Sequence, residues 1–262
     1  MAYRFRNLVF AGISFFGLLT SSYSEQPEVS LSELSFHVAS NSRIRNVRFG
    51  KFNERGQLIG STRIGFRTSG RSLKYEYKGP LPLTFFEETK TPTPDNPDNV
   101  TRTVVAQISP PTDKSDLLFL FSRNPSENDS GLQYSIDWID TNIRAVPSGH
   151  ITIFNTLPIE FEGGIQQSKN DANPVLIKTK PGINPPIDIE PKAKVILALN
   201  SNTDGLLRAY EDTVHCGRDE RILLVIFPPR FPGSYQVGSK IISIPSPDQE
   251  KNKTDPDPKS TE

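Results

Sequence analysis

The sequence predicts an all-β fold: an antiparallel β-sandwich, immunoglobulin-like or jelly-roll-like, with about a dozen short strands and little or no helix. Three observations predict it. Apolar residues fall in short runs, either alternating with polar ones or continuous over a few positions, which is strand behaviour. The 23 prolines and 17 glycines are spread along the whole chain, so few intervals are long enough for a helix. No segment carries apolar residues at i, i+3, i+4 and i+7 over three turns.

The expected strands follow in chain order. Residues 34–38 (LSFHV), 44–49 and 73–77 (LKYEY) alternate apolar and polar, so each presents one face to a core. Residues 103–108 and 116–122 (DLLFLFS) are more continuously apolar, as expected at the middle of a sheet. Further strands are expected at 134–139, 150–155 (HITIFN), 157–161, 187–190, 194–199, 206–211, 221–227 (RILLVIF) and 241–244. Residues 140–146 are the best helical candidate, one or two turns that Pro147 stops. Turn signals precede several strands: Lys78-Gly79-Pro80, Pro147-Ser148-Gly149 and Glu190-Pro191. Pro228-Pro229 and Phe231-Pro232-Gly233 end the most apolar strand, because proline cannot donate to a ladder. Polar, Pro- or Gly-bearing stretches at 87–99 and 163–174 are expected as exposed loops on one rim, where any binding residues would come from. A loose similarity between the surroundings of HITIFN and AKVILAL is too weak to indicate a duplication.

The two ends read differently. Arg4 and Arg6 precede an uncharged apolar run at 8–19, and Ser22 and Ser24 follow in the spacing a signal peptidase accepts. Residues 1–24 are therefore expected to be a signal peptide cleaved after Ser24, which places the mature protein in the periplasm or outside the cell. The run is shorter than the ~20 residues of a spanning helix, so membrane contact is expected only during export. The sandwich is expected over 25–245. Residues 246–262 (SPDQEKNKTDPDPKSTE) lack the apolar content to repay ordering and are expected to be disordered. The lone Cys216 rules out an internal disulfide, so stability must come from core burial, with the thiol itself buried and inert. Thirty basic residues balance thirty acidic ones, and loss of Arg4 and Arg6 leaves a formal −2, which gives no footprint for nucleic acid or anionic lipid.

His37, His150 and His215 show no ligand spacing, and His215 and Cys216 point to opposite faces if they lie on a strand. Ser234 in Phe231-Pro232-Gly233-Ser234-Tyr235 lacks the second glycine of a nucleophile elbow, and Ser148 reads as a turn serine. Asp137, Asp140, Glu160 and Glu162 are candidates for paired carboxylates but fit a solvated sheet face better. Asp95-Asn96-Pro97-Asp98-Asn99 is the nearest approach to a calcium loop, stiffened by its proline. Tyr75, Tyr77 and Trp138 are the candidates for stacking a sugar ring, and Tyr134, Trp138 and Tyr210 are placed where they can lie together; the competing reading puts all of them in the core. Asn99, Asn128 and Asn252 fit the N-glycosylation acceptor pattern, relevant in a eukaryotic secretory pathway. No catalytic, cofactor-binding or metal residue is assigned, and no cofactor is expected.

Three segments carry a resemblance. Tyr77-Lys78-Gly79-Pro80 leads into Leu83-Thr84-Phe85-Phe86. Pro147-Ser148-Gly149 leads into a strand ending at Asn155. Ile187-Asp188-Ile189-Glu190-Pro191 precedes another strand. Together they resemble a group of uncharacterised secreted β-sandwich proteins of Verrucomicrobia-like bacteria, over about residues 30–230. The resemblance implies a secreted β-sandwich and no activity or site residue.

The functional expectation is a secreted or periplasmic, non-catalytic protein that binds or scaffolds an envelope protein or glycan. The alternative is a sandwich that binds or cleaves polysaccharide.

Overall fold

The computed structural model describes residues 30–67, 70–92, 99–114, 116–124, 131–167, 174–201, 205–229, 231 and 233–246. The expected signal peptide, the tail beyond residue 246 and the Asp95–Asp98 segment lie outside the described residues. Within them the fold is all-β, with seventeen strands in four mostly antiparallel sheets and no helix. No helix among them is long and apolar enough to cross a membrane.

Sheet I holds β1 (Ser32–Ser40), β4 (Tyr75–Gly79), β7 (Leu117–Arg123) and β8 (Tyr134–Asp140) in the order β4-β1-β7-β8. Sheet II holds β2 (Val47–Phe52), β3 (Leu58–Arg63), β5 (Leu83–Lys90) and β6 (Val100–Ile108) in the order β3-β2-β5-β6. Sheet III contains β9 (His150–Asn155), β12 (Gly182–Ile183), β16 (Arg221–Phe227) and β17 (Gly238–Ile244) as β12-β9-β16-β17, and β13 (Ile187–Asp188) also pairs with β9. Sheet IV contains β10 (Phe161–Gln166), β11 (Val175–Thr179), β14 (Lys192–Ser201) and β15 (Gly205–His215) as β11-β10-β14-β15.

The two halves repeat one topology. If β9 stands for β1, β10 for β2, β11 for β3, β12 and β13 for β4, β14 for β5, β15 for β6, β16 for β7 and β17 for β8, both strand orders coincide. The parallel pair is repeated too: β1 runs parallel to β7, and β9 runs parallel to β16. Parallel neighbours need a crossover connection, and each half supplies it by passing through the opposite sheet. The repeat is thus a whole domain long, beyond the short periods that sequence self-similarity reveals most readily.

Side-chain alternation explains how the halves join. On β7, Leu117, Phe119 and Phe121 face the core between sheets I and II, where Phe119 stacks on Phe36 at 4.7 Å. Leu118 and Leu120 face the other way, into a cluster with Leu223, Val225 and Phe227 of β16. On β16, Ile222, Leu224 and Ile226 face the core between sheets III and IV. The sheets therefore stack in the order II, I, III, IV, and both central strands are buried on both faces. This is why DLLFLFS and RILLVIF are continuously apolar, while the edge strand β4 alternates.

Five expectations differ from the structure, the first being that residues 87–90, expected in a loop, continue β5. The strands among the described residues number seventeen, in four sheets, against about a dozen expected. Residues 140–146 form turns closed by Asn142, whose Oδ1 accepts from the backbone N of Arg144 at 2.8 Å and of Ala145 at 3.0 Å. Residues 157–159 are a bend instead of a strand. Gly163 and Gly164, expected in a loop, lie in β10, because a Cβ on Gly163 would sit 2.0 Å from the Ile196 carbonyl oxygen of β14. Glycine there marks close backbone approach.

Two cations tie the joint. Arg221, buried, donates from Nε to the Val146 carbonyl at 2.7 Å, from Nη1 to Pro245 at 3.2 Å and from Nη2 to Thr141, which fixes the β8–β9 connection. Lys240 of β17 donates from Nζ to the Ser40 carbonyl at 2.9 Å and the Arg67 carbonyl at 3.2 Å, bridging from the second half to the first.

Candidate functional site

An open cleft among the described residues measures about 1080 Å³. Its walls are the β1–β2 loop (41–46), the β3–β4 connection at 64–67 and 73, and Lys240. Ile44 and Ile64 anchor these loops by burying their side chains in the first core. Their neighbours Arg43, Arg45, Arg63 and Arg67 are thereby turned to solvent. Asn46 adopts a left-handed backbone (φ 61°), a conformation that asparagine tolerates better than most residues, and its Oδ1 accepts from Arg63 Nη2 at 3.2 Å. Tyr75 Oη accepts from the Gly65 backbone N at 2.7 Å and so holds the β3–β4 connection against sheet I.

The cleft is cationic. Arg43, Arg45, Arg63, Arg67 and Lys240 line it, and no carboxylate is among the described lining residues. This contrasts with the sheet faces, where cations meet acids. Arg48 and Arg102 both reach Glu88, at 3.3 and 3.1 Å; Lys178 reaches Glu160 at 2.9 Å; Lys78 reaches Glu33 at 2.8 Å. Arg43, Arg45 and the guanidinium of Arg67 have no such partner among the described residues. Burial pushes the Lys240 ammonium below its ordinary range, since it gives up water for two carbonyls and gains no counter-ion. A smaller hollow of about 290 Å³ shares Asn46 and Arg63 with the cleft and is lined further by Lys90 and by Arg48 with its partner Glu88.

At the topologically equivalent place in the second half, asparagine side chains bridge the connections. Asn155 Nδ2 donates to the Ile159 carbonyl at 2.7 Å. Asn184 Nδ2 reaches the carbonyls of Ile153, Lys180 and Gly182, and its Oδ1 accepts from the Lys180 backbone N at 2.8 Å. Short connections at 156–160 and 180–181 replace the longer ones of the first half.

The residues singled out from sequence do not converge. His37 is buried with Nδ1 3.0 Å from the Ser72 carbonyl; His150 has Nδ1 2.7 Å from the Ser148 carbonyl; His215 is exposed at the end of β15. Cys216 is buried, and burial raises its thiol pKa, with the Glu220 charge adding to the effect. Ser234 Oγ accepts from the Gln236 backbone N at 3.1 Å as a turn residue. Asp140 lies 3.7 Å from Lys114 and Glu160 pairs with Lys178, while burial raises the Asp137 carboxyl. No group of three or more His, Cys, Asp or Glu among the described residues is placed to hold a metal. The rings separate as well: Tyr77 is buried, Tyr75 packs on Phe36 and Phe49, and Trp138 is 41% exposed on β8. Tyr134 belongs to the first core and Tyr210 to the second.

The arginines of the cleft were not singled out from sequence. The available signal was the R-x-R-x-x-R spacing of Arg43, Arg45 and Arg48, but global neutrality concealed it. No protein-family model matches the chain, and no curated protein matches it.

Proposed function

We propose that the protein is a non-catalytic binding protein of the cell envelope, exported by its N-terminal segment, whose binding surface is the cationic cleft at the junction of its two halves. On this reading each half is a β-sandwich of related type, immunoglobulin-like or jelly-roll-like, and the pair forms one rigid platform. The observation that carries the reading is the set of exposed cations around the cleft without a facing carboxylate. Clustered like charge raises the local potential and attracts opposite charge, a cost to stability that a ligand relieves. The cleft rests on loops anchored by Ile44 and Ile64, so its shape is largely pre-formed, as binding sites usually are. The test is retention of native envelope extract on immobilised residues 25–262 beside an Arg43→Glu/Arg45→Glu variant. Material held by the wild type and released by the variant is the expected result. Equal retention by both, or by neither, removes the cleft from consideration.

A further inference from the structure

We infer that the ligand of the cleft is an acidic glycan, a sugar polymer carrying carboxylate or sulfate groups. The inference rests on the binding reading above and names the ligand class.

Three features point to it. First, the cations line an extended cleft instead of a point. Arg43, Arg45, Arg63, Arg67 and Lys240 line the larger cleft, and the smaller hollow adjoins it through Asn46 and Arg63 and adds the exposed Lys90 beside the paired Arg48 and Glu88. A single small anion needs one convergent cluster, whereas a polymer with an acid on successive units needs charges spaced along a groove. The combined space exceeds that of ordinary small-molecule pockets, which run to about 1,000 Å³. Second, guanidinium groups present planar forks that bind carboxylate and sulfate in bidentate fashion, and the lining cations are mostly arginine. Asn41 and Ser42 stand in the same wall as exposed hydrogen-bonding groups, suited to sugar hydroxyls.

Third, the lining lacks a stacking platform for bases. Its rings are engaged elsewhere: Phe66 meets Phe121 edge-on at 5.1 Å, and Tyr75 meets Phe49 at 5.8 Å with its hydroxyl held by Gly65. Sequence-tolerant binding of single-stranded nucleic acid relies on free aromatic faces. Leu73, 67% exposed, is the apolar ledge of the cleft and suits the hydrophobic face of a sugar ring.

Three proteins over residues 25–262 are titrated with polygalacturonate, dextran sulfate, neutral dextran, oligo-dT and phosphatidylglycerol vesicles: the wild type, Arg43→Gln/Arg45→Gln, and a control altered at the equivalent place in the second half, Lys178→Gln/Lys180→Gln. The thermal midpoint of each variant verifies folding. The expected result is binding of polygalacturonate or dextran sulfate and none of neutral dextran. Affinity should fall at least about tenfold in the cleft variant, stay unchanged in the control, and weaken as salt is raised. The two acidic polymers separate the carboxylate from the sulfate form of the ligand. The inference is overturned if oligo-dT or the vesicles bind as tightly per charge, if the cleft variant binds acidic glycan as well as the wild type, or if no polymer binds. Loss of the ligand class alone is recognised by envelope extract still releasing material from the cleft variant. Loss of the binding reading is recognised by equal retention in both tests.

Discussion

Lys240 and Ser40 lie 200 positions apart in sequence, and Lys240 Nζ donates to the Ser40 carbonyl at 2.9 Å. The bond crosses from the last strand of the second half to the last residue of β1, where the cleft loop begins. Lys240→Met keeps the apolar stem and removes the donor. It is expected to cost about 1–3 kcal/mol, the price of leaving two carbonyls unmatched less the relief of the desolvated ammonium. Urea unfolding measures this, and an unchanged midpoint with a retained slope would remove Lys240 from the joint.

Gly163 in β10 faces the Ile196 carbonyl oxygen of β14, which a Cβ would approach to 2.0 Å. Backbone cannot rotate away as a side chain can. Gly163→Ala is expected to destabilise by about 2–4 kcal/mol through overpacking and lost ladder bonds. Gly60, with open space around it, is the matched control in a strand, and Gly60→Ala should be close to neutral. Similar midpoints for the two variants would show that β10 does not press on β14.

The stacked order of sheets predicts that neighbours on one strand are equally costly to truncate. Phe119 faces the first core and Leu118 the joint between halves, and both are fully buried. Phe119→Ala should lose about 3–5 kcal/mol and Leu118→Ala about 2–5 kcal/mol. A Leu118→Ala effect within about 0.5 kcal/mol, as for a surface site, would separate the two halves in solution.

Tyr77 gives a pH dependence of known sign. Burial pushes its phenol up to about 12. An acid whose folded value lies above its unfolded value of about 10 contributes fully while both states are protonated, and the contribution is lost as pH climbs from 10 through 12. The amount is on the order of 2–3 kcal/mol. Burial also raises the phenol of Tyr210, which acts in the same direction. Tyr77→Phe removes one share of this alkaline loss, together with the hydrogen bond from Tyr77 Oη to the Pro80 carbonyl at 2.5 Å. Stability curves of wild type and variant should therefore converge above pH 10. Parallel curves would place Tyr77 outside the core.

The all-β class was legible because alternation and turn residues are local signals. The strands at 116–122 and 221–227 were readable as interior, since burial on both faces removes polar alternation. What hid was long-range. β10 was masked by two glycines that exist to admit the Ile196 backbone, a contact invisible along the chain. β3 (LIGSTR) and β11 (VLIKT) are sheet edges with exposed apolar residues such as Ile59 and Leu176, so their pattern carries no clean face. The repeat was hidden because matching strands share burial and not residue identity. β2 reads VRFGKF where β10 reads FEGGIQ. The cleft was hidden because its charges come from Arg43 and Arg45, Arg63 and Arg67, and Lys240, three separate places in a chain of zero formal charge.

Amide hydrogen exchange of residues 25–262, with and without polygalacturonate, locates the binding surface without altering any residue. Exchange is expected to slow in residues 41–46 and 64–67 and around Lys240, with 156–160 and 180–184 unchanged. Protection confined to the second half, or no protection at a concentration where binding is saturated, would contradict binding at the cleft.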